Sequence, residues 1–263
     1  MPELDHLRER LQRFGSIVVA FSGGADSAFL AWVATTTLGS ARVCCVTAVS
    51  PSLAGSELSD CAALATEWGL DWVTVETDEL ADPRYEANDG SRCYFCKVSL
   101  MDVLAPMAAE HHAVVALGVN VDDLGEHRPG QLAAKERNAV FPLVEAGFTK
   151  KDVRAWSHQL GLRTWDKPAA ACLASRVPYG TPVSFAILGR VERAEEGLHA
   201  LGFRELRVRH YGDTARIEVP LTDVARLLER REEVVTTVRA AGYDYVTVDL
   251  EGLRSGNLNR ALG

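Results

Sequence analysis

The stretch Ile17-Val18-Val19-Ala20-Phe21-Ser22-Gly23-Gly24-Ala25-Asp26-Ser27 decides the fold of the 263-residue chain. Its first five residues form a β-branched, apolar run that predicts a strand, and the residues from Asp26 to 37 carry a helical pattern. Between them lie two glycines, which let backbone N–H groups close around an anion at a helix N-terminus. Phosphate is the natural guest. A Walker-type loop places a lysine after its last glycine; Asp26 and Ser27 stand nearby instead, which fits poorly with transfer of a γ-phosphate.

Outward from this loop the same rhythm repeats. Apolar runs at 43–49, 72–76 and 113–117 alternate with helical patterns at 57–68 and near 97–110, and this predicts an α/β fold with a parallel sheet and helices on both faces. Residues 78–92 read as a long, turn-rich loop. Thr149 reads as the N-cap of a helix over 149–160, closed by Gly161. From Ser184 the order changes to a helix (185–201), two strands (205–210 and 215–219), one long charged helix (221–241) and a strand (243–248). The expected division is a nucleotide-binding domain over 1–165 and a smaller α/β C-terminal domain over 166–263.

Composition bounds the function. With 47% hydrophobic and 24% charged residues the chain reads as an ordinary globular protein, and no apolar run is long enough to span a bilayer. The start is charged and helical, without the pattern of a secretory signal, so a cytoplasmic location is expected. A formal net charge of −8 repels polyanions, which argues against a long nucleic-acid footprint. Six cysteines in such a chain are better read as core residues, metal ligands or reactive thiols than as a disulfide frame.

Two further clusters carry chemistry. Asn120, Asp122 and Asp123 follow a strand and supply an amide and two carboxylates at the C-terminal edge of the sheet, where ligands of open α/β sheets collect. Cys93-Tyr94-Phe95-Cys96-Lys97 stands at the start of a helix. A CxxC there can be a redox pair, half of a zinc site or two ligands of an iron–sulfur cluster. Cys172 lies in an alanine-rich run flanked by Lys167, Ser175 and Arg176, a cationic setting that favours a thiolate and an anionic substrate. Three thiolates would suit a 4Fe-4S cluster with one iron left open. Cys44, Cys45 and Cys61 fall on a strand and a helix and are expected in the core. Arg207 and Arg209 alternate on one strand face with a spacing suited to a phosphate.

The segment SGGADS at 22–27 resembles the SGGxDS signature of PP-loop ATP pyrophosphatases, which cleave ATP to AMP and pyrophosphate. The resemblance tightens with Pro51-Ser52-Leu53, Asp82-Pro83-Arg84-Tyr85, Arg92 through Lys97, Asn120 through Gly125, Arg128-Pro129-Gly130, Trp165 through Gly180 and Arg207-Val208-Arg209-His210. Together these are similar to the LarE-type ATP-dependent sulfur transferases in the pathway to the nickel-pincer nucleotide of lactate racemase.

The resemblance implies a PP-loop (HUP-like) domain and ATP binding by Ser22, Gly23, Gly24, Asp26, Ser27, Asn120, Asp122 and Asp123 with Mg²⁺. It places residues 48–51 near the adenine. It implies contacts from Lys97, Arg128, Lys167, Ser175, Arg176, Arg207 and Arg209 to the substrate, pyridinium-3,5-biscarboxylic acid mononucleotide. Cys172 would carry sulfur. Some members give up their own cysteine sulfur and keep dehydroalanine; others hold a 4Fe-4S cluster on three cysteines, and Cys93, Cys96 and Cys172 favour that mode here. A homo-oligomer of hexamer size is also implied. Val119 departs from the small hydroxyl residue that relatives usually carry before the asparagine. The competing readings are a PP-loop tRNA thiolase, disfavoured by the acidic balance, and a non-catalytic adenine-nucleotide-binding protein, which would leave Asp26 and the cysteines without a role.

Overall fold

Strand β1 (Ile17–Ala20) lies inside a four-stranded parallel sheet, paired on one side with β2 (Val43–Val49) and on the other with β4 (Val114–Leu117). Strand β3 (Asp71–Glu76) completes the order β3-β2-β1-β4 from the edge next to β2. The computed structural model describes residues 2–125, 129–168, 171–254 and 257. They form two compact units by their contacts, one made of the chain up to 79 and from 93 to 170, the other of 80–92 and the chain from 171 onward.

In the first unit the alternation of side chains along a strand splits the core in two. Ile17, Val19, Val43 and Cys45 point to one face, where they pack with Leu7, Leu11, Phe29, Leu30, Leu64 and Phe148. Val18, Val46, Val115 and Leu117 point to the other, against Met101, Leu104, Ala134 and Phe141. Helices therefore cover both faces, as the repeating pattern predicts. The helix Ala25–Leu38 is apolar nearly all round, because it is buried between its sheet and its neighbours. Thr149 caps the helix Lys150–Gln159 through a reciprocal capping box with Asp152, and Gly161 follows its end with φ +71°. Cys45 and Cys61 are fully buried in the core and Cys44 packs against it half-buried.

The second unit is a three-stranded sheet, β5 (Arg207–Tyr211), β6 (Thr214–Glu218) and β7 (Tyr245–Val248), in the order β5-β6-β7. The first pair is an antiparallel hairpin and the second is parallel. Val208, Ala215 and Ile217 pack against Ala194, Leu198, Val234 and Val238.

Three local features differ from the pattern in the sequence. The helix near 97–110 begins earlier, at Arg92, so Cys93 and Cys96 lie within its first turns, at the helix start expected for them. The single long helix over 221–241 is two, Leu221–Glu229 and Arg231–Ala240. No glycine or proline marks the break, which falls at Arg230 with its backbone at φ −99°, ψ 21°; the Arg230 side chain donates to the Leu201 carbonyl and pairs with Glu233. Residues 78–92 are not one open loop: they include a short helix, Pro83–Glu86, capped by Asp82, and residues 80–92 pack with the second unit.

Candidate active site

The glycine loop leaves β1 at the C-terminal edge of the first sheet and feeds the helix Ala25–Leu38, the place where phosphate binds in such folds. Ser27 braces it. Its hydroxyl donates to the Gly24 carbonyl at 3.2 Å, accepts from the Ser22 N–H at 3.2 Å and lies 3.0 Å from the Ser22 hydroxyl. Gly23 has φ +66°, and a Cβ there would come 2.9 Å from Cys61 Sγ, so glycine is required on both counts. Gly118, just past β4, abuts the same loop: a Cβ would lie 2.7 Å from the Ser27 nitrogen and 2.8 Å from its Cα. The result is a cradle of bare backbone, which fits the triphosphate of ATP.

Charges converge on this cradle from three segments. Asp26 stands in the helix's first turn, and Lys150 Nζ donates to its Oδ2 at 2.5 Å. The Lys150 backbone N–H donates to Asp122 Oδ2 at 2.8 Å. Asn120, only 2% exposed, accepts from the Asp122 N–H at 3.0 Å, and its own N–H donates to Asp123 Oδ2 at 3.0 Å. Thus Asp26 and Asp122 meet through Lys150, while Asn120 and Asp123 shape the turn. The other carboxylate oxygen of Asp26, Oδ1, is buried with no hydrogen-bond partner. Such an orphaned oxygen suits a hard cation, so the residues present fit Mg²⁺.

Sequence reading missed Lys150. A signal was available: Lys150 and Lys151 open a helix, where positive charge opposes the macrodipole, and a local conflict of that kind often marks a functional position. Lys167, read from the sequence as a substrate contact, lies against the glycine loop. Its ammonium donates to Glu57 and Asp60, both at 2.7 Å, and to the Gly23 carbonyl at 3.2 Å. Burial works to lower its pKa, but the bonds to Asp60 and Glu57 outweigh burial and raise it. Near the end of β2, Ser50 and Thr77 donate to the buried carboxylate of Glu79, another residue not singled out from sequence.

All six cysteines are thiols rather than half-cystines; Cys93 and Cys172 are exposed and Cys96 is half-buried. Gly130 packs on the Cys93 carbonyl, and the half-buried Lys97 lies one residue past Cys96. In the second unit, Arg176 is buried against Glu195 by two bonds of 2.9 Å and donates to the carbonyls of Ala171 and Cys172. Arg209, 2% exposed, bonds Glu218 and the Ser175 carbonyl. Arg207 is half-buried, and burial followed by the charges of Arg209 and Arg176 holds its pKa below normal. Three guanidiniums therefore share one neighbourhood, with Ser175 at its edge through the Arg176 bond to its hydroxyl. Arg128 lies outside the described residues. The three cysteines have the donor chemistry of an iron–sulfur cluster, yet among the described residues no three His, Cys, Asp or Glu side chains gather to hold a metal ion.

Comparison with known proteins identifies the family to which such a cradle belongs. A family model described as NAD synthase matches residues 3–89, the stretch with β1, β2, β3 and the glycine loop. The pyridinium-3,5-bisthiocarboxylic acid mononucleotide synthase of Lactiplantibacillus plantarum is 36% identical over 247 residues, 94% of this chain and 90% of its own. The chain belongs to the LarE-type sulfur transferase family of the PP-loop superfamily. This LarE-type chain is also 45% identical to an uncharacterised protein of Synechocystis, over 99% of this chain and 98% of that one. An uncharacterised protein of Methanocaldococcus jannaschii is 27% identical over 95% of each. Among the described residues of the LarE-type chain, no helix is long and apolar enough to cross a membrane.

Proposed function

We propose that the protein is an ATP-dependent sulfur transferase that converts the carboxylates of pyridinium-3,5-biscarboxylic acid mononucleotide to thiocarboxylates, on the route to a nickel-pincer nucleotide. The observation that carries the reading is the glycine cradle with Asp26, Lys150 and Asp122 drawn together beside it, in a chain that also holds an exposed Cys172. The kinship with the Lactiplantibacillus plantarum synthase, named for a pyridinium bisthiocarboxylic acid mononucleotide, supports the substrate class.

In the first step a substrate carboxylate oxygen attacks the α-phosphorus of ATP, the bond to the bridging oxygen breaks, and pyrophosphate leaves. Backbone N–H groups of 22–27 and the Lys150 ammonium stabilise the charge that grows on that leaving group. Mg²⁺, held by Asp26 with Asp122 or Asp123 nearby, would neutralise phosphate charge when bound. In the second step sulfur attacks the acyl carbon and AMP leaves with the former carboxylate oxygen. Adenylation is needed because an unactivated carboxylate has no good leaving group. If the sulfur is that of Cys172, a thioester forms first. Loss of the Cys172 α-proton and cleavage of its Cβ–S bond then give the thiocarboxylate and dehydroalanine.

A 4Fe-4S cluster on Cys93, Cys96 and Cys172 would instead supply sulfide and allow repeated turnover; iron and labile sulfide in anaerobically purified protein test it. Arg207, with Arg176 and Arg209 beside it, is the proposed seat of the substrate phosphate. The C-terminal unit is proposed to bind substrate and build a homo-oligomer of hexamer size, read out by light scattering, and the enzyme is proposed to work in the cytoplasm on a small molecule rather than on nucleic acid.

The adenylation half is tested through Lys150. Lys150→Ala is expected to slow substrate-dependent ATP–pyrophosphate exchange about a hundredfold, the scale of losing one preorganised charge contact to a transition state. Thermal stability should hardly change, because the lost ion pair is partly exposed. Unchanged exchange would remove Lys150 from the site.

A further inference from the structure

The backbone that carries Cys172 is fixed by side chains from a distant part of the sequence. Residues 80–92 and 171–183 belong to one unit, and two buried residues of the first segment bond into the second. Asn88 is fully buried with φ +53°, a left-handed conformation that asparagine tolerates better than most residues. Its side-chain amide donates to the carbonyls of Pro178 at 2.9 Å and Thr181 at 2.8 Å, and its backbone carbonyl accepts from the Gly180 N–H at 3.0 Å. Arg92 is 5% exposed. Its Nη1 donates to Asn88 Oδ1 at 2.5 Å and to the Ala174 carbonyl at 2.8 Å, and its guanidinium lies over the Tyr179 ring, 5.7 Å from the centroid.

We infer that Arg92 is a positioning residue for the sulfur-transfer step, holding the turn that follows Cys172 through the Ala174 carbonyl and through Asn88. The inference rests on the sulfur-transfer reading proposed above. Cys172 immediately precedes the 3₁₀ turn Leu173–Arg176, and its carbonyl accepts from the Ser175 N–H, so a shift of that turn moves the thiol. An exposed side chain has no packing of its own to aim it; its direction is set by its backbone. Arg176 and Arg209 hold the carbonyls of Ala171, Cys172 and Ser175 from within the C-terminal sequence. Arg92 adds the one anchor among these three arginines that comes from outside it. The planar guanidinium is well shaped for this anchoring, since one nitrogen serves two acceptors while the flat face covers Tyr179, an arrangement an ammonium does not reproduce. Moving a nucleophile by even a fraction of an ångström from its attack geometry slows the step it performs.

The test uses the full chain with MgATP and the pyridinium dicarboxylate mononucleotide, comparing wild type, Arg92→Met and Arg92→Lys. In Arg92→Met, thiocarboxylate formation in a single turnover is expected to fall tenfold or more, roughly the scale set by a small misplacement. Substrate-dependent ATP–pyrophosphate exchange should stay within about twofold, since it needs only the adenylation half. Arg92→Lys should recover part of the loss. Equal transfer in wild type and Arg92→Met, or a matching fall in both half-reactions, would overturn the proposal.

Two measurements do not need the thiocarboxylate. Hydrogen exchange on the wild type should show the amides of Ser175, Val177, Gly180 and Val183 protected, and exchange as fast as in an open loop would overturn the anchoring even if neither variant folds. The rate at which iodoacetamide alkylates Cys172, followed on its peptide, should change in Arg92→Met; an unchanged rate would contradict the claim that Arg92 aims this thiol. If the wild type makes no thiocarboxylate the sulfur-transfer reading fails by itself, and these two measurements still decide the anchoring.

Discussion

Cys172→Ser is expected to abolish thiocarboxylate formation while leaving ATP–pyrophosphate exchange intact. The proposed chemistry needs a sulfur atom that attacks an acyl-adenylate, and at neutral pH a serine hydroxyl without a base is a far weaker nucleophile than a thiol and has no sulfur to give. Loss of a nucleophile lowers a step by on the order of a thousandfold or more, so product should fall below detection. The substitution is nearly isosteric and exposed, which keeps the fold. AMP should still appear slowly, as water hydrolyses the stranded adenylate. The same assay on Cys93→Ser and Cys96→Ser separates the two sulfur sources: retained single-turnover product points to the sulfur of Cys172 itself, and its loss points to a cluster on all three. Undiminished product from Cys172→Ser would remove this residue from the reaction.

The second large effect is expected from a single methyl group. Gly118→Ala places a Cβ 2.7 Å from the Ser27 nitrogen, 2.8 Å from its Cα and 2.9 Å from the Asp26 carbonyl carbon. These are backbone atoms at the start of the helix Ala25–Leu38, so no side-chain rotation relieves the clash. Overpacking of this kind costs roughly 1–3 kcal/mol of stability. More telling is where the strain goes. Either β4 or the glycine loop must give, and displacement of the loop moves the N–H groups that would hold pyrophosphate. A fall of about a hundredfold in kcat/KM for ATP is expected, the scale of a misplaced binding group. Gly69→Ala is the control. Its φ of +62° brings backbone strain, but nothing lies within 4 Å of the added methyl, so it should cost some stability and leave ATP use unchanged. Equal kcat/KM values for the two variants would show that contact at Gly118 does not govern the loop.

The contrast between what was legible in the sequence and what was not follows from separation along the chain. β1, the glycine loop and the next helix are contiguous, and their signal is local: a β-branched run, two glycines, then a helical period. The capping box at Thr149 and Asp152 is local as well. The partnership of Lys150 with Asp26 spans 124 residues, and Arg92 reaches a carbonyl 82 residues away. No periodicity announces such pairs. The same limit hid the role of residues 80–92, whose turn formers look like a surface loop until Asn88 is seen buried under the carbonyls of Pro178 and Thr181. Arg176 was legible as a cation flanking Cys172 and Arg209 as the strand-face neighbour of Arg207, but neither as a side chain engaged with Glu195 or Glu218; a strand pattern gives the face of a residue and says nothing of its partner.

In the proposed reaction one chain both activates a carboxylate with ATP and replaces its oxygen by sulfur. The most direct measurement is mass spectrometry of the small molecule after anaerobically purified protein has been incubated with MgATP and pyridinium-3,5-biscarboxylic acid mononucleotide, with and without added sulfide. The expected product has one carboxylate oxygen, and then a second on the other carboxylate, exchanged for sulfur, with AMP released in step. AMP release with no sulfur in the product, or no ATP consumption at all, would contradict it.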